Sequence, residues 1–156
     1  MTAGEEEAVI APEPTAGVIQ GAEHLLPIRV YYEDTDFTGV VYHANYLRYF
    51  ERGRSDFLRL AGVSHTELRA RPEPIAFVVR HMEIDFVRAA RIDDALVVRT
   101  VYERLKGPRV FVSQRIERGP DVVATALVEV VCIRLDGRPA RPPADILQAL
   151  RLVSPL

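Results

Sequence analysis

Two aspartates and a histidine stand close together in the run EDTDFTGVVYHANYLRYFE, from Glu33 to Glu51. Asp34 and Asp36 lie in a polar turn. Gly39 and two small β-branched residues follow, and an aromatic-rich helical pattern begins near Tyr42. A carboxylate placed just before a helix start meets amides that have no intrahelical partner and the positive end of the helix dipole. Such a carboxylate stays ionised at neutral pH. It is equipped to attack a carbonyl carbon or to deprotonate water. The amides near Gly39, Val41, Tyr42 and His43 would hold the oxyanion that forms. Asp36 is the candidate for this chemistry, with Asp34 as the cap. The plainer reading is that Asp34, Thr35, Asp36 and Thr38 all serve only to shape a turn. His43, seven residues after Asp36, allows proton transfer or a polar contact with the carbonyl, although a lone histidine at a helix start is commonly structural. Tyr32, on the segment leading into the turn, can place its hydroxyl in the same cleft.

Elsewhere the chemical signals are sparse. Lys106 and Arg109 flank a Gly-Pro turn and suit a phosphate group, though charged turn tips are ordinary surface. His24, His65 and His81 are not spaced with cysteines or acids as metal ligands are, and no metal is expected. Cys132 lies in the apolar run VEVVCIRL and reads as a small buried hydrophobe rather than a nucleophile. The glycine-rich phosphate and dinucleotide motifs and the G-x-S-x-G serine elbow are absent from the sequence.

The chain has 156 residues with 48% hydrophobic and 27% charged, which suits one globular domain. No apolar run is long enough to span a bilayer. The acidic N-terminus does not resemble a signal peptide, and a lone thiol fits a reducing compartment, so a cytoplasmic location is expected. Residues 27–156 hold all 20 Lys and Arg and 17 of the 22 Asp and Glu. That mild basic bias tolerates a phosphorylated small ligand and is too weak to argue for nucleic acid.

Positioning elements follow from periodicity. Residues 1–26 read as a disordered acidic leader and 27–156 as the domain. Pro27–Glu33 alternates as a strand. From Tyr42 to Leu60, apolar residues at spacings of three and four mark an amphipathic helix. Gly53 inside it suggests close backbone packing. A helical turn over His65–Arg71 follows. Strands are then expected over Ile75–Phe86, Ala95–Arg104, Val110–Glu117 and Val122–Leu135, with a last helix over Pro142–Leu152. One helix buries its stripe best against a strongly curved five-stranded antiparallel sheet whose last four strands form a meander, an α+β arrangement. The two-sided apolar content of the later strands points to a homo-oligomer.

The segments VYYEDTDFTGVVYHANYLRYFERGR, FVVRHMEIDFVRAARIDDALVVRT and VCIRLDGRPARPP resemble the 4-hydroxybenzoyl-CoA thioesterase family. The likeness is to its YbgC-type branch, the acyl-CoA thioesterases associated with the bacterial Tol–Pal system. The resemblance implies the hotdog fold, in which a curved sheet wraps a long helix. It implies a homodimer or homotetramer with active sites at the subunit interface. It makes Asp36, the second aspartate of D-x-D-x-x-G-V-V-Y-H-A-N-Y, the catalytic carboxylate, acting as nucleophile or as general base. His43 and Tyr32 fall on matching positions, and the amides around Tyr42 and His43 on the thioester-polarising site. Thr38 departs from the small residue that relatives often carry. The loop that binds coenzyme A matches poorly, so Lys106 and Arg109 rest on their charge alone. Coenzyme A would be part of the substrate, with no further cofactor. Acyl carrier protein or Tol–Pal components are conceivable partners. The alternatives are a non-catalytic acyl-CoA-binding protein and a hotdog hydratase or dehydratase.

Overall fold

The amphipathic stripe read from the sequence is the buried face of a long helix. The structure, a computed structural model, describes residues 12–14 and 16–156. Helix α1 spans His43–Leu60, with Tyr42 as its N-cap. Its buried face is built from Tyr46, Tyr49, Phe50, Phe57 and Leu58. At Gly53 the helix touches the sheet: an added Cβ would come within 2.8 Å of Thr100 Oγ1 and 2.9 Å of Val98 Cγ1. Two shorter helices follow, α2 (His65–Ala70) and α3 (Ala144–Arg151). Ser64 caps α2 by accepting the Glu67 amide at 3.1 Å.

The sheet has six strands rather than five: β1 (Val18–Gln20), β2 (Glu23–Arg29), β3 (Ile75–Phe86), β4 (Ala95–Lys106), β5 (Arg109–Arg118) and β6 (Asp121–Arg134). The extra strand comes from the stretch expected to be a disordered leader, so order begins well before Pro27. Its cause is burial. His24, Leu26 and Ile28 alternate into the core, and the Gly17 amide and His24 Nε2 both bond Asp56 of α1, at 2.8 and 2.7 Å. Residues 1–11 and 15 of the expected leader lie outside the described residues. At its other end β2 stops at Arg29, and Tyr32–Asp34 form a 3₁₀ turn. Tyr32 is therefore on a turn, not on a strand.

All pairings are antiparallel, in the order β1-β2-β4-β5-β6-β3. The expected four-strand meander is corrected to three, β4-β5-β6. The connection through α1 and α2 carries the chain from one side of the sheet to the other, so β3 pairs with β6 and β4 pairs with β2. The inner face packs on α1. The outer face carries ion pairs, such as Arg99 with Glu23 at 2.9 Å and with Glu117 at 2.6 Å. No helix among the described residues is long and apolar enough to cross a membrane.

Candidate active site

The segment between β2 and α1 is fixed by division of labour between its two acids. Asp34 is buried, and its carboxylate accepts the Tyr31 amide at 2.8 Å. Its carbonyl accepts the Tyr42 amide at 2.9 Å and Asn45 Nδ2 at 2.8 Å. Asp36 lies at the surface. Its Oδ1 accepts the Thr38 hydroxyl at 2.5 Å and the Thr38 amide at 2.8 Å. These two bonds, the hydroxyl first, hold its carboxyl below the usual range against a smaller opposing effect of burial. Oδ2 accepts no hydrogen bond from the described residues. The turn closes through the Gly39 amide onto the Asp36 carbonyl and the Asp36 amide onto the Val40 carbonyl, both at 3.0 Å. Gly39 sits at φ +81°, where a side chain would be strained.

A second loop, residues 87–94, braces this turn. The Val41 amide donates to the Ala90 carbonyl at 2.8 Å, and the Ala90 amide donates to Tyr46 Oη at 3.1 Å. Asp94 holds the loop in turn: it accepts the Arg91 amide at 2.9 Å and Arg118 Nη1 at 2.7 Å. Burial pushes the Asp94 carboxyl up, and these hydrogen bonds outweigh it, so its pKa is lowered overall.

The expected oxyanion amides need correction. Those of Gly39, Val41 and Tyr42 are already bonded to the carbonyls of Asp36, Ala90 and Asp34. The Asn45 amide bonds the Tyr42 carbonyl at 2.9 Å. Among the described residues, the amides of His43 and Ala44 are the ones in the first turn left without a partner. The His43 ring is exposed and stacks beside Tyr42 and edge-on to Phe86, with centroids 4.5 and 6.3 Å away. No hydrogen bond joins it to Asp36 within the described residues. Tyr32 is 84% exposed, so its hydroxyl lines no cleft of this chain.

Lys106 and Arg109 do not join the site within one chain either. They form the closing pair of the β4–β5 hairpin, whereas the Asp36 turn is braced by the loop that precedes β4. About 35 Å of strand separates the two ends. Arg109 moreover pairs with Glu129 at 3.2 Å. The residues without an assigned role in the sequence reading are the braces: Asn45, Tyr46, Asp94 and Arg118. Asp93 and Asp94 stand side by side just before β4, as turn residues do; nothing in the sequence links Arg118 to them.

The result is an open shelf. An ionised carboxylate with one free oxygen lies before a helix start with two free amides. The exposed rings of Tyr32, Phe37, Tyr42 and Phe86 lie on the same turn, helix start and strand end. No group of three or more His, Cys, Asp or Glu is arranged to hold a metal ion among the described residues. Cys132 is buried, its thiol pushed up to about 11, and it takes no part.

Comparison with known proteins bears on the family and the fold. The family model for the thioesterase-like superfamily matches residues 30–150. The acyl-CoA thioesterase YbgC of Haemophilus influenzae is 40% identical over 124 residues, covering 79% of this chain and 90% of the relative. The acyl-CoA thioester hydrolase YbgC of Escherichia coli O6:H1 is 41% identical over 78% of this chain and 90% of its own. Among solved structures, a probable thioesterase from Bartonella henselae superposes with a TM-score of 0.76 at 50% identity, covering 78% of this chain and 100% of that one. The hotdog architecture expected from the sequence is thus the observed one, and the chain belongs to the thioesterase-like superfamily.

Proposed function

We propose that this protein hydrolyses acyl-CoA thioesters to a free acid and coenzyme A, with Asp36 as the catalytic carboxylate. The similar proteins that carry the acyl-CoA thioesterase name support the reaction class. The observation that carries the residue assignment is the state of Asp36. Thr38 engages Oδ1 twice and keeps the group ionised, while Oδ2 stays free for a reacting atom. The thioester carbonyl oxygen would lie against the His43 and Ala44 amides, where negative charge developing on it is stabilised by unpaired donors and the dipole of an 18-residue helix. Asp36 then takes a proton from water as the water oxygen bonds to the carbonyl carbon. The tetrahedral intermediate collapses, the C–S bond breaks, and the proton passes from Asp36 to the departing sulfur. Direct attack by Oδ2 is the other route: the C–S bond breaks, the coenzyme A thiolate leaves and takes a proton from solvent, and the transient anhydride is then hydrolysed by water to the free acid and the Asp36 carboxylate. After a single turnover in heavy-oxygen water, label in the Asp36 carboxylate identifies the anhydride route opened at the aspartyl carbon; water attack at the acyl carbon, direct or on the anhydride, sends the label to the product acid.

A hydratase or dehydratase would need an acid and a histidine poised together over the acyl chain, and Asp36 and His43 share no hydrogen bond. The reading uses no metal; coenzyme A enters as substrate, and the buried thiol of Cys132 suits a reducing, cytoplasmic setting.

The proposal includes a homodimer. Among the described residues, strand β3 is paired only on the β6 side, and its neighbourhood exposes Val78, Val79 and Phe86. An open edge of 12 residues invites a second strand, and a partner there would wall the shelf beside Phe86. The decisive assay is thiol release from a panel of acyl-CoAs by the wild type and Asp36→Asn. Full activity in Asp36→Asn removes Asp36 from the mechanism; absence of thiol release by the wild type removes the reaction.

A further inference from the structure

We propose that the cavity between β2, the C-terminal half of α1 and the start of α2 is a second small-molecule site, separate from the Asp36 shelf, and that it binds a nucleoside phosphate. The cavity holds about 530 Å³, within the range of small-molecule sites. Arg52, Asp56 and Arg59 line it from α1 at i, i+4 and i+7, which is one helix face. Pro27 of β2, with Leu26, Ile28 and Val63, supplies an apolar wall.

The charges around this cavity do not balance. Asp56 is the one acid that lines it. That carboxylate is buried and already committed to the Gly17 amide at 2.8 Å, to His24 Nε2 at 2.7 Å and to Nη2 of Arg59. The Arg59 side chain is 58% exposed, and its other nitrogens have no partner among the described residues. Arg52 pairs with no carboxylate among the described residues. Its guanidinium lies over the Tyr49 ring, 5.9 Å from the centroid. That contact holds the head group at the wall and leaves its N–H donors open. The neighbouring Glu51 is taken by Arg54 at 2.5 Å and by the Ser55 hydroxyl at 3.0 Å. Two guanidinium groups thus stand at one cavity against a single saturated carboxylate. Phosphate matches them, because its oxygens accept paired N–H donors from a planar guanidinium. The exposed Thr66 and His65 add polar groups on the α2 side. Phosphate alone would leave most of the volume unfilled, and the apolar wall suits the base of a nucleotide.

The cavity is apart from the reacting centre. His43 and Arg52 are nine residues apart, about two and a half helical turns, so their side chains leave α1 on opposite sides. None of Asp36, Thr38, His43 or Phe86 lines the cavity.

Isothermal titration calorimetry with ADP, pyrophosphate and adenosine tests the site in the wild type, Arg52→Gln and the Arg52→Gln/Arg59→Gln double variant. The wild type should bind one ADP per chain with a Kd below about 1 mM. Pyrophosphate should compete with ADP but bind more weakly, and adenosine should bind more weakly still. Arg52→Gln should weaken ADP at least tenfold, and the double variant should abolish binding. Thermal unfolding identifies a misfolded double variant, in which case Arg52→Gln, at an exposed position, decides. In the thiol-release assay, KM for the acyl-CoA turned over fastest should stay within twofold in Arg52→Gln. Absence of ADP binding by the wild type overturns the proposal, as does ADP binding that survives in folded variants. Adenosine binding as tight as that of ADP overturns the phosphate assignment, and pyrophosphate binding as tight overturns the nucleoside. A KM that rises as ADP binding is lost overturns the separation from the substrate site. A wild type that releases no thiol overturns the thioesterase reading instead and leaves the calorimetry to decide this one.

Discussion

Asp34 and Asp36, two residues apart, are divided between interior and surface: Asp34 is spent on the Tyr31 amide, and Asp36 keeps one oxygen free. Their roles are therefore not interchangeable. Asp36→Asn should lower kcat at least a hundredfold with the fold intact, because removing a catalytic base costs on the order of 10²–10⁴. Asp34→Asn should instead loosen the turn and lower the melting temperature. Steady-state kinetics and thermal unfolding, measured on both variants, separate the two effects.

Thr38 tunes the same carboxylate. Its hydroxyl is the largest cause of the lowered Asp36 pKa. Thr38→Val removes that donor and keeps the amide, so the Asp36 pKa should rise. Hydrolysis needs the ionised form, hence the acid limb of the kcat/KM profile should move to higher pH. A limb that stays in place, or moves down, contradicts the assignment.

Gly53→Ala sets two magnitudes against each other. Alanine is favoured over glycine inside a helix by about 1 kcal/mol. Here its Cβ would lie 2.8 Å from Thr100 Oγ1, 2.9 Å from Val98 Cγ1 and 3.1 Å from Gln114 Nε2. Overpacking of this kind costs typically 1–3 kcal/mol, and Gln114 cannot retreat without giving up its bonds to Phe50 and Thr100. The net effect should be a loss of up to about 2 kcal/mol, seen as a lower midpoint in urea unfolding.

Periodicity made α1 and the later strands readable, because each has one face in the core and one outside. Gly53 was readable for the same reason: a glycine in a strong helical pattern needs a close neighbour. Strand β1 was not, since three residues beside a glycine turn carry no period, and its order depends on Asp56, far along the chain. The place of β3 was hidden because a strand's partner depends on where the intervening helix delivers the chain. At the site, the turn acids stood out by type and spacing. The free amides did not: whether Val41, Tyr42 or His43 is unpaired is decided by Ala90 and Asp34 carbonyls, which no local pattern reveals.

The Asp94–Arg118 pair should make the brace acid-sensitive. The Asp94 pKa is lowered in the folded state, so its stabilising contribution is complete above the unfolded carboxylate value near 3.8 and is lost as pH falls through the lower folded value. Asp94→Asn removes that dependence. The variant should show a shallower fall in stability below about pH 4 than the wild type, together with reduced activity at neutral pH, since the loop it anchors holds Val41 and Tyr46. Parallel melting curves across the acid range test this.

The N-terminal hairpin offers the sharpest stability test. Asp56 is buried and accepts three groups: the Gly17 amide, His24 Nε2 and the Arg59 guanidinium. His24 is itself fully buried, and its Nδ1 has no partner among the described residues. Asp56→Ala would strand a buried imidazole and a backbone amide at once, which should cost about 3 kcal/mol and roughly 6–12 °C in melting temperature. Arg59→Ala removes only the exposed partner, and an ion pair with one solvent-facing member contributes little, under about 1 kcal/mol. Hydrogen exchange should show the difference locally: in Asp56→Ala the amides of β1 and β2 should lose protection before those of β5 and β6. Equal loss across the sheet would mean that Asp56 supports the fold as a whole rather than clamping this hairpin.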